Sequence, residues 1–301
     1  MIQTTTEFEE ASIFERTVLA SVFPLISTQA TRASLDLRTS RATTTIAVSS
    51  VGDLGGAARE ALINELRPLF FGAAWKVLDL LLELAFHQHG LAPTRPGKWT
   101  IAEKEAHAVS NLGSCPPISS DRDIWTRICA LYANTVEARH CLVHRRFVLS
   151  SLGDMTQIQA PSGALQPDLT AMEQEAFCRT AQSIAAACLA SRFTNRERID
   201  LIWWLDQLTR HHRAAPLGGG SPARPVEVVK VDAIHTPSGW TVDLARAHTE
   251  VQRVFPGRPY FDVEIYFPGS GFPPLTGRLE EAPLDLAFVI DPASPPSWAV
   301  F

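Results

Sequence analysis

Ten consecutive residues, EARHCLVHRR at 137 to 146, hold one acid, three arginines and two histidines around Cys141, Leu142 and Val143. His140 and His144 are four positions apart, which puts them on one face of a helix at the spacing of a zinc-ligand pair. The glutamate of an HExxH motif is missing, no third ligand stands nearby, and Cys141 projects from another face, so no metal is expected. The arginines offer a different chemistry, because a guanidinium is a fork suited to carboxylate or phosphate oxygens.

One helix must position this stretch. A Ser or Asp in SSDRDIW can cap a helix predicted from Asp123 to about Phe147. On a wheel, Ile124, Ile128, Leu131, Thr135, Ala138 and Leu142 form one stripe, with Trp125, Cys129, Tyr132, Val136 and Val143 beside it. Arg139 falls at about 60° from Ile124, inside this apolar arc, while Glu137, His140 and His144 share the polar side. A guanidinium there must reach water along its stem, find a carboxylate or meet an anion, because an unpaired buried charge is costly.

The flanking sequence reads as more helices. AREALINEL is followed by Pro68, expected in the first turn of a new helix that runs to Gly90. WTIAEKEAHAVSNL, DLTAMEQEAFCRTAQSIAAACLA and NRERIDLIWWLDQLTRHH follow, the second opened by an Asp or Thr cap. His211 and His212 are expected as cations at a helix C-terminus, and adjacent Trp203 and Trp204 cannot both face one core. RAAPLGGGSPARP reads as a flexible linker, after which the pattern changes to period two: a hairpin around Pro237 to Gly239, then strands at YFDVEIYF and LDLAFVI. The expected fold is therefore mainly α: an irregular Ser- and Thr-rich N-terminal arm (1–52), a helical domain (53–213), a linker (214–225) and a small acidic β-rich region (226–301).

Composition narrows the function classes. A chain of 301 residues that is 46% hydrophobic can bury a sizeable core. The most apolar stretch, Leu69 to Phe86, is broken by Lys76, Asp79 and Glu83 at helical spacing, which suits a buried core helix and not a membrane span. MIQTTTEFEE lacks the basic and apolar parts of a secretory signal, and five cysteines without a CxxC suit a reducing, cytoplasmic setting. The net charge is −5, and residues 226–301 carry ten acids against five bases, so any nucleic-acid site must be a local cluster.

Arg139-His140-Cys141-Leu142-Val143-His144 resembles the signature of the HEPN superfamily, an Arg, four to six residues and a His, with a polar residue directly after the Arg. Among the nine histidines only His144 has an Arg at that distance before it. The resemblance covers residues 53 to 213. It implies an up-and-down helical bundle that forms a homodimer with the two motifs facing one another, and a metal-independent endoribonuclease without a cofactor, of the toxin or antiviral defence kind. On that reading His144 transfers the proton of the ribose 2′-hydroxyl, Arg139 holds the phosphorane charge, and His140 supports them. Arg145 and Arg146 bind flanking phosphates, and Glu137 pairs with His140 or tunes it. The C-terminal region would sense, restrain or dock a regulatory partner. A non-catalytic binding or regulatory module with the same dimer, for nucleotide or nucleic acid, is the alternative.

Overall fold

A computed structural model describes residues 1–26, 29–48, 56–157, 168–220, 227–256 and 261–300. In chain order the helices are α1 (Thr5–Ile26), α2 (Gly56–Gln88), α3 (Ile101–Val109), α4 (Arg122–Val143), α5 (Ala171–Ala190), α6 (Asn195–Asp206), α7 (Thr209–His212) and α8 (Leu244–Val254). The strands are β1 (Gln29–Asp36), β2 (Arg41–Val48), β3 (Phe147–Leu149), β4 (Met155–Gln157), β5 (Val228–Asp232), β6 (Ile234–Thr236), β7 (Gly239–Val242), β8 (Asp262–Tyr266), β9 (Leu275–Arg278), β10 (Phe288–Ile290) and β11 (Ala299–Val300). The chain divides into two compact units, one of Met1–Thr28 with Ser49–Ala223 and the other of Gln29–Val48 with Arg224–Phe301.

The first unit is helical because its sequence caps and stripes its helices. Thr4 and Glu7 open α1 reciprocally: the Glu7 amide donates to Thr4 Oγ1 at 3.1 Å and the Thr4 amide to Glu7 Oε2 at 3.1 Å. Phe8, Ser12 and Leu19 then lie buried along one face. Thr100 with Glu103, Thr170 with Glu173 and Thr194 with Glu197 form the same capping box at α3, α5 and α6. α2 buries Phe71, Trp75, Leu78, Leu82 and Phe86, which pack with Ile128 and Leu131 of α4 and with Phe177 and Ile184 of α5 in one core. Pro68 does not begin a new helix: α2 runs continuously through it. Among the described residues no helix is long and apolar enough to cross a membrane.

The second unit is built on a mixed six-stranded sheet in the order β11-β9-β8-β5-β1-β2. β1 and β2 form an antiparallel hairpin, β1 lies parallel to β5 with Leu35 opposite Val229, and β5 lies parallel to β8 with Val229 opposite Val263. β6 and β7 make the hairpin expected around Pro237 to Gly239, and β10 joins them in a second sheet.

These elements correct the expected fold class. The chain is α/β in character, with sheets as well as helices, and is not a mainly α bundle. The N-terminal segment is no irregular arm, since it supplies the 22-residue α1 and two strands of the large sheet. Its Ser and Thr residues hid this, because they serve as caps and cross-strand partners: Ser34 Oγ and Thr43 Oγ1 are 2.5 Å apart between β1 and β2. Part of the expected linker is also tied down. The Leu217 and Gly218 amides donate to the Asp206 carboxylate at 2.8 and 2.9 Å, and Ala215 accepts from buried Arg127 at 2.6 Å. Residues 221–226 lie outside the described residues.

Candidate functional site

The basic stretch forms the C-terminal end of α4. Asp121 caps the helix, accepting from the Ile124 amide at 3.2 Å, and Ile124, Ile128, Leu131, Thr135 and Ala138 are buried as the wheel requires. The helix stops at Val143 and not near Phe147, because the chain reverses there. His144 is the C-cap, Arg145 adopts φ 54°, and the Arg145 and Arg146 amides donate to Leu142 at 3.1 Å and to Cys141 at 2.7 Å. This is a Schellman closure whose left-handed position, usually glycine, is held by an arginine. Phe147 then enters β3, which pairs with β4.

Each predicted residue can now be placed. His140 is half-buried and His144 exposed, and their rings are nearly parallel with centroids 6.2 Å apart, so the two imidazoles share a face. Arg145 and Arg146 are exposed beside them. Glu137 does not hydrogen-bond His140. Its Oε1 accepts from the Cys141 thiol at 3.8 Å, and burial first, then the Glu137 charge, push that thiol above its ordinary pKa. Arg139 lies apart from this group. It is half-buried, and its guanidinium sits over the ring of Trp75 at 5.4 Å from the centroid. No described carboxylate pairs with it. Arg139 and His144 are therefore not brought to a common point within one copy of the chain.

Sequence reasoning missed what lies beneath Arg139. Trp75 stacks on Tyr132 with centroids 4.9 Å apart, and the Tyr132 hydroxyl donates to Asp79 Oδ1 at 2.9 Å. Burial, and then the charge of Asp79, push the Tyr132 hydroxyl well above its usual pKa, which keeps it a donor. The Lys104 ammonium lies 2.5 Å from Asp79 Oδ1 and 2.9 Å from Glu83 Oε1, with a side chain only 3% exposed. An aromatic pair thus separates the guanidinium from a charge network in which Lys104 and Lys76, the latter 3.5 Å from Asp79 Oδ2, balance the two carboxylates. The signal was present in Asp79 and Glu83 interrupting an apolar run, but their partner Lys104 sits on another helix and no periodicity points to it.

His212 departs from the expectation of two cations at a helix end. His212 is 3% exposed, its Nδ1 accepts from the Ala214 amide at 3.1 Å, and its Nε2 faces the Leu205 carbonyl at 3.0 Å, an arrangement that fits the neutral ring. Burial lowers its pKa accordingly. His211 Nε2 is 3.2 Å from Glu173, which Arg210 also pairs. Trp203 is 36% exposed while Trp204 packs against the core. Among the described residues no group of three or more His, Cys, Asp or Glu side chains is placed to hold a metal ion.

No protein-family model, no curated protein and no solved structure matches this chain.

Proposed function

We propose that the C-terminal end of α4 is the working end of a metal-independent endoribonuclease, the activity implied by the resemblance of RHCLVH to the HEPN signature. The observation that supports it most is Arg139: a half-buried guanidinium over Trp75, without a carboxylate partner among the described residues, on the same helix end as two imidazoles that share another face. A cation so placed is completed by an anion from outside the chain, and the imidazoles add proton transfer near neutral pH.

In this reading the ribose 2′-oxygen gives its proton to His144 and attacks the adjacent phosphorus. The bond from phosphorus to the 5′-oxygen breaks, that oxygen takes up a proton, and the products are a 2′,3′-cyclic phosphate and a 5′-hydroxyl. Arg139 holds the charge of the phosphorane, His140 supports the proton transfer, and Arg145 and Arg146 bind flanking phosphates. Glu137 gives the stretch its one negative charge. Because Arg139 and His144 lie on different sides of α4, the site is a composite of two copies of the chain, Arg139 from one and His144 from the other. The five cysteines are all free, which fits work in the cytoplasm on cellular RNA. A toxin or defence role follows by analogy alone.

The test is incubation of mixed-sequence RNA with the full chain in excess EDTA. Cleavage to 2′,3′-cyclic phosphate ends, lost in both Arg139→Ala and His144→Ala, supports the enzyme. Binding without cleavage makes the surface a binding module instead, and activity that survives either substitution removes that residue from the site.

A further inference from the structure

The unit built on the large sheet holds a cavity of about 490 Å³ that the proposed nuclease does not use. It lies at the carboxyl ends of the parallel strands β1 and β5, lined by Arg38, Asp232, Asp243 and Arg246 among apolar residues. Its volume is in the range of sites that hold whole small molecules, and the carboxyl edge of parallel strands is where open α/β sheets bind ligands.

The four charged groups are not equivalent. Arg38 is already committed: its Nε and Nη2 donate to the two Asp36 oxygens at 2.9 and 2.8 Å, and its guanidinium covers Tyr266 at 3.9 Å. Asp243 caps α8, accepting from the Arg246 amide at 2.7 Å, and the Leu244 amide donates to the Asp285 carbonyl at 3.2 Å. The first turn of α8 is therefore satisfied and offers an anion little. Asp232 and Arg246 remain. They line the same cavity with opposite charges and face solvent; the Asp232 charge acts on Arg38 and the Arg246 charge on Glu250, but neither makes a hydrogen bond or close ion pair with a described side chain. Two more of its lining residues, Ile234 and Leu286, are 68% and 75% exposed and give the opening an apolar edge.

The geometry points to a binding site for a small zwitterion of the amino-acid or dipeptide class with an apolar side chain. Its carboxylate meets the free fork of Arg246, its ammonium meets Asp232, and its side chain covers Ile234 and Leu286. With Arg38 held by Asp36, the one remaining guanidinium, Arg246, faces the Asp232 carboxylate across the same lining, a balance that suits a ligand carrying both charges better than a multiply charged phosphate.

Isothermal titration of the full chain with leucine and with Leu-Leu tests this. The expected result is binding of at least one of them, weakened about tenfold or more when its amine is acetylated or its carboxylate is amidated, since each loses a charge-assisted hydrogen bond. Asp232→Asn and Arg246→Gln should each weaken it by a similar factor. The blocked ligands test the charges without altering the protein, so the outcome does not depend on the variants folding. No binding of either zwitterion, equal binding of the blocked forms, or tighter binding of adenosine monophosphate would overturn the assignment.

Discussion

Arg139 and Trp75 meet face to cation, 5.4 Å from guanidinium carbon to ring centroid, across the contact between α4 and α2. The two residues contribute unequally to stability. Trp75 is 2% exposed and stacked on Tyr132, so Trp75→Ala should cost about 3–5 kcal/mol. Arg139 has only the ring and water, so Arg139→Gln should cost about 1 kcal/mol or less. Urea denaturation of both variants checks this. A loss of several kcal/mol in Arg139→Gln would mean that the guanidinium serves the fold and not a ligand.

Arg145 at φ 54° should be a place where stability was given up. A side chain in the left-handed region is strained relative to glycine, so Arg145→Gly is expected to raise stability by about 1 kcal/mol. The same change removes a cation from the proposed RNA surface, so affinity for RNA should fall and become less dependent on salt. A destabilised Arg145→Gly would show that the arginine side chain has a structural partner.

Lys104 is the only buried cation among the described partners of Asp79 and Glu83, which otherwise have the half-exposed Lys76 at 3.5 Å from Asp79, the Tyr132 hydroxyl and the Ile2 amide. Replacing it with Met should destabilise the helical unit by about 3–5 kcal/mol, because Asp79 and Glu83 are then left charged and largely buried. Adding Asp79→Asn and Glu83→Gln should recover a large part of that loss. Thermal melts of the single and triple variants separate this account from one in which Lys104 merely fills space, for which the added changes would bring no recovery.

His212 predicts an acid-side loss of stability. Burial lowers its pKa below the ordinary 6.5, so on acidification the unfolded chain takes up the proton first. The contribution is complete above pH 6.5 and is lost as the pH falls toward the lower folded value. His212→Gln should be less stable at pH 7.5 and should flatten the fall in stability as the pH drops below 6.5. An unchanged slope would mean that the ring is not held neutral.

The parts of the fold that were legible in the sequence are those coded locally. The caps at Asp121 and Thr170, the wheel of α4 and the hairpin at Pro237 each depend on residues a few positions apart. α8 was equally local, with Asp243 as cap and Leu244, Ala247 and Val251 buried on one stripe, but the period-two pattern around it masked it. What no local pattern could reveal is long-range pairing. β1 joins β5 across almost 200 residues of chain, so a Ser- and Thr-rich segment with no core partner in sequence looked irregular. The candidate site divides in the same way. The wheel isolated Arg139 from the histidines, while Trp75 and the charge network behind it come from α2 and α3.

The composite site is tested most directly by mixing two dead variants. Arg139→Ala and His144→Ala, each inactive alone, are co-refolded in equal amounts and assayed on RNA in EDTA. If Arg139 of one copy works with His144 of another, half the dimers are mixed and each holds one intact site, so activity should return to about a quarter of the wild-type value. No recovery, with mixed dimers demonstrated in the sample, would contradict the account.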